Sequence, residues 1–407
     1  MKKLFVFLIS LAFYFFAQAN EKFTSFINLS GSDNSELGIE MELPDIDFYG
    51  DTDQCPPEPG YPGAGNYFDP FGGSVHRKIH DLEVWGGVGE EQLIWIRYGH
   101  SGSGDYVRNY GNAHNWNSSY QYDMVDVGSG IRIHYPQGGQ DIFVKVDQIR
   151  WSAGPGKNKW LFQYGNNFFL QKSDGFRYRF EKLGSGANTY YQLQDFLDKY
   201  KNLYILTYDN TTRKLTRITE PAGRYLEISY SLVNNVRVIA QVETRDLRKV
   251  TYNYTVMNGF VCLTGATYGD GTSAIYSYIQ SPPGSQPMLA HAIDPRYRGS
   301  ATNMKYTYLP FSNGFIKEER NGVTNEVMAT LDASTANKTV IYPNGLKQVF
   351  SSPVNDFSKT NSYTDGFGSR SQVDFADGGK GFRQSETDAL GRTTTYENRT
   401  SVKLILN

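Results

Sequence analysis

Five of the six histidines, His76, His80, His100, His114 and His134, fall between residues 61 and 160. Zinc needs three or four donors converging on one point, commonly imidazoles with carboxylates. Here the spacings are irregular, and the His76/His80 pair stands at i, i+4 in a stretch that does not read as a helix. Satisfied or surface histidines explain the pattern better than a metal centre. Glu90, Glu91, Asp105, Asp123 and Asp126 could supply the two carboxyls of a glycosidase, but nothing in their spacing selects a pair. Ser101-Gly102-Ser103-Gly104 follows Gly99-His100 and does not complete a G-x-S-x-G elbow. Gly86-Gly87-Val88-Gly89 lacks the Lys-Ser/Thr of a phosphate loop. The alternating rings Tyr252/Tyr254, Tyr276/Tyr278 and Phe176/Tyr178/Phe180 have the chemistry to stack on sugars, and equally to pack between neighbouring hairpins. The expectation is a chain with no catalytic residue, no metal and no cofactor.

The elements that would carry these residues are strands. Tyr208 to Tyr230 reads as a strand, a turn at Pro221-Ala222-Gly223, and a second strand, Leu226 to Tyr230, alternating apolar and polar. A period of two buries one face, and a lone hairpin is marginal in water, so copies are expected beside it. The chain supplies them. Gly223, Leu247 and Gly271 stand 24 residues apart, and Gly299, Gly322, Gly345, Gly368 and Gly391 stand 23 apart. Behind the turns the same odd positions recur: Leu226/Ile228/Tyr230, Val250/Tyr252/Tyr254, Ala274/Tyr276/Tyr278, then Tyr306/Tyr308. Leu247 breaks the glycine rule and keeps the strand, so the hairpin is the repeating unit. Upstream, Gln92 to Tyr98 reads as a strand apolar on both sides, Asn115 to Tyr122 and Ile131 to Tyr135 as further strands, and Phe168 to Phe180 as a hairpin turning at Asp174-Gly175. Tyr190 to Tyr200 is less regular, with Leu193, Phe196 and Leu197 spaced for a short helix.

Tyr208-Asp209, Leu215, Gly223-Arg224 and Tyr230 resemble the YD repeat of bacterial Rhs-type proteins. Asp388-Ala389-Leu390-Gly391-Arg392, with Tyr396, is similar to the second half of that repeat, and Trp116 to Tyr122 to the aromatic segment that precedes it. The likeness runs from Tyr208 to Tyr396, and more loosely back to Gly175. Thr212, Ser231 and Thr255 depart from the family pattern, which weakens any role for its aspartate. The resemblance implies an all-β fold in which tandem hairpins form a spiralling sheet or partial shell. It also implies that Tyr208, Asp209, Gly223, Arg224, Tyr230, Tyr252, Tyr254, Gly271, Tyr276, Tyr278, Gly345, Gly368, Gly391, Arg392 and Tyr396 are structural. Family members often add a sealing core and a toxin domain, for which this chain has no room. A truncated member, or an open sheet that pairs with further repeat chains, is expected.

Lys2 and Lys3, the apolar run Leu4 to Phe16 and Ala17-Gln18-Ala19 form a secretory signal with cleavage expected after Ala19. The domain order expected is therefore signal 1–19, a polar and Pro-rich linker 20–60, a β-rich lead-in 61–160, the repeat array 161–396 and a tail 397–407. No later stretch is apolar enough to span a bilayer as a helix. Lys+Arg 40 against Asp+Glu 42 gives no electrostatic case for nucleic acid. Export permits a disulfide, and the sequence leaves open whether Cys55 and Cys262 pair. The function expected is an exported β-sheet shell or surface scaffold, partnered by further repeat chains or a toxin or effector cargo. The alternative is a cell-surface adhesin that binds glycans through exposed tyrosines.

Overall fold

A computed structural model describes residues 75–395, apart from segments 87–92, 101–108, 155–158, 185–188, 281–282, 296–301, 309–315, 333–337, 352–361, 365–367 and 376–382 and positions 114, 138, 173, 369 and 389. All described residues lie in the compact unit Asp51–Glu397. The signal, the linker, the tail, Cys55, Glu90, Glu91, the Ser101 to Gly104 stretch, Asp105, His114, Gly299 and Tyr396 lie outside the described residues.

The fold is all-β, with no helix among the described residues. Three strands come first: β1 (His76–Glu83), β2 (Ile94–His100) and β3 (Asn115–Ser118), an antiparallel sheet in that order. A second sheet takes the rest. Its first strands are β4 (Asp123–Asp126), β5 (Ile131–His134), β6 (Gln140–Lys145), β7 (Arg150–Ser152), β8 (Lys159–Tyr164), β9 (Asn167–Lys172), β10 (Arg177–Leu183) and β11 (Tyr190–Leu197). They are followed by β12 (Leu203–Tyr208), β13 (Leu215–Thr219), β14 (Tyr225–Val233), β15 (Val236–Thr244), β16 (Lys249–Met257), β17 (Phe260–Tyr268), β18 (Ser273–Ile279), β19 (Met288–Asp294) and β20 (Thr302–Tyr308). The ribbon ends with β21 (Ile316–Asn321), β22 (Val327–Asp332), β23 (Lys338–Ile341), β24 (Lys347–Ser351), β25 (Ser362–Thr364), β26 (Arg370–Phe375), β27 (Arg383–Thr387) and β28 (Thr393–Thr395). The second sheet thus begins at Asp123, inside the 61–160 stretch.

One strand sets the topology. Along one edge β11 pairs with β10, and its other edge is divided. Tyr190 and Tyr191 pair with Val125 and Met124 of β4, which closes β4 to β11 into a barrel of eight strands. Asp195 to Leu197 pair with Leu203 to Ile205 of β12, which sends the chain on as an antiparallel ribbon. The short helix expected at Tyr190 to Tyr200 is therefore corrected to strand. Arg179 pairs with Asp195 and Phe180 with Leu193, so Gln194 is the extra residue of a β-bulge. A bulge flips the parity of the residues beyond it, which puts Leu193 and Phe196 on the same buried side, three residues apart. That spacing imitates a helix.

Two further readings shift. The Asn115 to Tyr122 strand stops at Ser118 and turns. The strand read as buried on both faces is buried at Leu93, Trp95 and Arg97 and only half-buried at Ile94, Ile96 and Tyr98.

Most turns between an odd strand and the next even one share one geometry. In the β13–β14 turn Gly223 N donates to Glu220 O and Glu220 N to Arg224 O, and the same pair of bonds closes turns ending at Gly271, Gly345 and Gly391. The fourth position sits at φ 79–83° at these four glycines and 86° at Gly368, a left-handed conformation costly to side chains other than glycine. Leu247 occupies the equivalent place at φ 64° with both bonds intact. It is 74% exposed and gains little from burial. Leu247→Gly is expected to stabilise the chain by about 0.5–1 kcal/mol, the relieved strain less the extra chain entropy of glycine; urea denaturation checks it, and a loss of stability would show that the leucine is held by contacts of its own. Gly322 does not fill this role: in that longer turn the left-handed residue is Asn325, and Gly322 lies against the Asn303 side chain.

Candidate functional site: the tyrosine face of the repeat sheet and the sheet it holds

The repeat tyrosines fall into two classes with different work. Tyr208, Tyr230, Tyr254, Tyr278 and Tyr308 each sit where the pairing slips at a bulge. In the β14–β15 pair, Ser229 faces Gln241 and Tyr230 faces Ile239, so Ala240 is extra. The bulge leaves the Ile239 carbonyl outside the ladder, and the Tyr254 hydroxyl of the next even strand donates to it at 2.6 Å. The same bond recurs from Tyr208 to Leu193, Tyr230 to Leu215, Tyr278 to Leu263 and Tyr308 to Leu289, at 2.5–2.9 Å. Four of the five bonds span 15 residues. Each tyrosine thus satisfies a backbone acceptor that curvature has orphaned. Tyr254→Phe is expected to cost about 1–2 kcal/mol by leaving the Ile239 carbonyl unsatisfied in a half-buried place. Thermal denaturation of the two proteins measures it, and an unchanged midpoint would remove this role.

The turn residues also have identifiable tasks. Asp209 Oδ1 accepts from the backbone N–H groups of Thr211 and Thr212 and from the Thr212 hydroxyl, bonds that hold its carboxyl below the usual range. Asn321 makes the equivalent two backbone bonds in its own turn, so either residue type suffices. Arg224 pairs with Glu220, and Arg392 with Asp388, each at 2.6 Å across its glycine turn.

The second class faces inward. Tyr252, Tyr268, Tyr276 and Tyr306 are 2–5% exposed, and the first sheet packs on them. In β1 the pairing skips Asp81, a bulge that puts Arg77, Ile79, Asp81 and then Leu82 on one buried side. Arg97, in register with Leu93 and Trp95, reaches Asp81 through two bonds of 2.8 and 3.0 Å, and both side chains are fully buried. Tyr252 and Tyr268 donate to the two Asp81 oxygens at 2.7 and 2.9 Å. Trp95 Nε1 donates to the Tyr110 and Tyr252 hydroxyls, and Trp116 Nε1 to that of Tyr278 at 3.0 Å. The Arg97 guanidinium lies 4.8 Å from the Trp116 ring and 5.1 Å from that of Tyr276. A second pair, Arg77 and Asp294, is held by Tyr306 and Tyr276 at 2.9 and 2.7 Å.

Electrostatics hold the arginine of this cluster charged and its tyrosines neutral. Burial opposes the Arg97 charge, but the Asp81 charge, the tyrosine hydroxyls and the ion-pair bonds outweigh it and hold the guanidinium well above its ordinary value. Burial, then the Asp81 charge, drives the Tyr252 phenol well above the phenol range, and burial does the same to Tyr276. None of these phenols can serve as a base, and each can donate.

At the border the two sheets touch through backbone. Asn112 and Ala113 N–H both donate to Val261 O, and Ile239 N–H donates to Asn109 O. Gly111 lies so close that a Cβ there would meet Val261 O at 2.2 Å. Outside, Arg224 Nη1 donates to Trp85 O, and the Arg248 guanidinium lies 4.0 Å from the centre of the Trp85 ring.

Other residues considered for chemistry are not brought together. Among the described residues no three His, Cys, Asp or Glu side chains converge as metal ligands. Asp123 is in β4, its carboxyl raised by burial against the pull of Arg132, and Asp126 is exposed. His134 is buried and His80 exposed. Cys262 is a free buried thiol that burial pushes up to about 11. Tyr252, Tyr276 and Tyr278, put forward for sugar stacking, are buried. Sequence reasoning missed Arg77, Asp81, Tyr268 and Asp294. The signal for the first two was their parity: a charged residue two places from Ile79 on either side shares its face.

No protein-family model and no curated protein matches the chain. Solved structures similar to it include the crystal structure of TcdB2-TccC3, with TM-score 0.39, 11% identity, and 71% of this chain and 19% of that one covered. TcdB2-TccC3-Cdc42 gives TM-score 0.34, 11% identity, 70% and 18%. The Photorhabdus luminescens Tc holotoxin pore with the TccC3-D651A mutation gives TM-score 0.32, 10% identity, 79% and 21%. The chain thus spans about a fifth of the length of the structures it is similar to.

Proposed function

We propose that the chain is an exported structural protein without catalysis of its own: its repeat sheet is the shell-like scaffold that the YD-repeat resemblance implies, and it forms a wall on its own N-terminal sheet. The observation that carries this reading is the buried Asp81–Arg97 pair, shared between the first sheet and repeat tyrosines. Such a cluster discriminates: both charges are costly unless the partner surface supplies bonds to them, as Tyr252 and Tyr268 do for Asp81. The repeat sheet is therefore read as a container whose inner face is matched to one occupant. Further repeat chains, or a toxin or effector cargo, are the partners this role would take. Among the described residues no helix is long and apolar enough to cross a membrane, which says nothing of strands. Release from the cell rests on the Lys2 to Ala19 leader.

Hydrogen exchange on the secreted protein tests the wall. Amides of β1 to β3 and of β14 to β20 are expected to be protected to the same degree and to open together. Rapid exchange in β1 to β3 with the repeat strands still protected would sink the reading. A panel of polysaccharide substrates across several pH values tests the second part, and turnover would overturn the non-catalytic assignment. The adhesin alternative needs exposed rings, and three of the five tyrosines put forward for sugar stacking are buried and the other two half-buried.

A further inference from the structure

Where the connection after the first sheet crosses the repeat sheet, an amine meets a carboxamide. Lys214 Nζ donates to Asn109 Oδ1 at 2.8 Å, across 105 residues of chain. The carboxamide is held in place: Asn109 Nδ2 donates to Gln121 Oε1 at 3.0 Å, and the Asn109 backbone carbonyl accepts from Ile239 N–H at 2.8 Å. On the other side, Lys214 is half-buried and immediately precedes Leu215, whose carbonyl takes the Tyr230 hydroxyl. Burial, and then the positive charge of Arg237, pull the Lys214 ammonium below the ordinary lysine range. More of it is therefore neutral amine at a given pH, the form that attacks carbonyl carbon.

We infer that Lys214 and Asn109 condense into an intramolecular amide cross-link. The Nζ lone pair attacks Asn109 Cγ, a new C–N bond forms, and the Cγ–Nδ2 bond breaks. One amine proton passes to the departing nitrogen, which leaves as ammonia, so atoms and charge balance without a co-reactant. The Gln121 contact orients the leaving nitrogen. Fixing both groups in one place supplies the high effective concentration that aminolysis of an amide requires. The product would tie the connection after the first sheet to the start of β13 covalently. It does not depend on the wall reading, because it concerns one pair of side chains.

Denaturing mass spectrometry of the secreted full-length protein, followed by tryptic mapping, tests it. The expected result is a mass short by one ammonia of the value for the sequence after the leader, and a branched peptide joining Asn109 to Lys214. Lys214→Arg should abolish both the ammonia loss, relative to the variant's own sequence mass, and the branched peptide. Ammonia can also leave an exposed asparagine next to glycine, such as Asn258 before Gly259, so the branched peptide is the deciding readout. Linear Asn109 and Lys214 peptides from the unmodified sequence would overturn the inference, whether or not the variant folds.

Discussion

Asp81→Ala should destabilise the protein by about 3–5 kcal/mol, because it leaves the fully buried Arg97 guanidinium without the carboxylate it is bonded to. The change also leaves the Tyr252 and Tyr268 hydroxyls without the oxygens they donate to. Urea unfolding followed by tryptophan fluorescence is the measurement, since Trp95 and Trp116 are both buried beside the pair. A double replacement, Asp81→Leu with Arg97→Met, should recover most of the loss, because it removes both charges and keeps the volume. A single variant costing under about 1 kcal/mol would mean that water reaches the pair and the cluster is not a lock.

Trp116→Ala is expected to cost a similar amount, about 3–5 kcal/mol, from a large buried side chain removed and the cavity left behind. The ring also faces the Arg97 guanidinium and is packed tightly enough that a Cβ on Gly99 would fall 2.6 Å from it. Trp116→Phe separates the contributions. It keeps most of the packing and loses the indole bond to Tyr278, whose hydroxyl still donates to Leu263 O. Because Asp81 and Trp116 both act through Arg97, the losses in a combined variant should fall short of their sum. Strict additivity, measured by the same urea series, would show two independent sites and argue against a single cluster.

The repeat sheet was legible because its signals are local. Gly223, Gly271 and Gly391 stand at turns that need a left-handed residue, and Leu226, Ile228 and Tyr230 alternate as a half-buried strand must. Leu247 was legible for the same reason, since the strand behind it kept its period. Bulges defeat this kind of reading. Gln194 flips the parity of β11, and the spacing of Leu193 and Phe196 then reads as helical. Asp81 keeps the parity of Ile79, but the bulge breaks the alternation right after it, at Leu82, so the pattern stops marking its face. The partners of the cluster were out of reach for another reason. Tyr252 lies 171 residues from Asp81, and Tyr306 lies 229 residues from Arg77. Alternation says which face a tyrosine takes, and nothing in it says which other sheet will lie on that face.

The bulge-and-tyrosine bond also gives the sheet a direction, as overlapping roof tiles have one. Each tyrosine covers the exposed nail of the course laid before it and leaves its own nail for the next. The smallest part that can be added or removed is therefore a whole course of two strands, one carrying the gap and the next the cover. Gain or loss of a single strand would leave one gap open and set one cover over nothing. A gene that lengthens or shortens by such courses can change the reach of the sheet without disturbing the residues that already hold it.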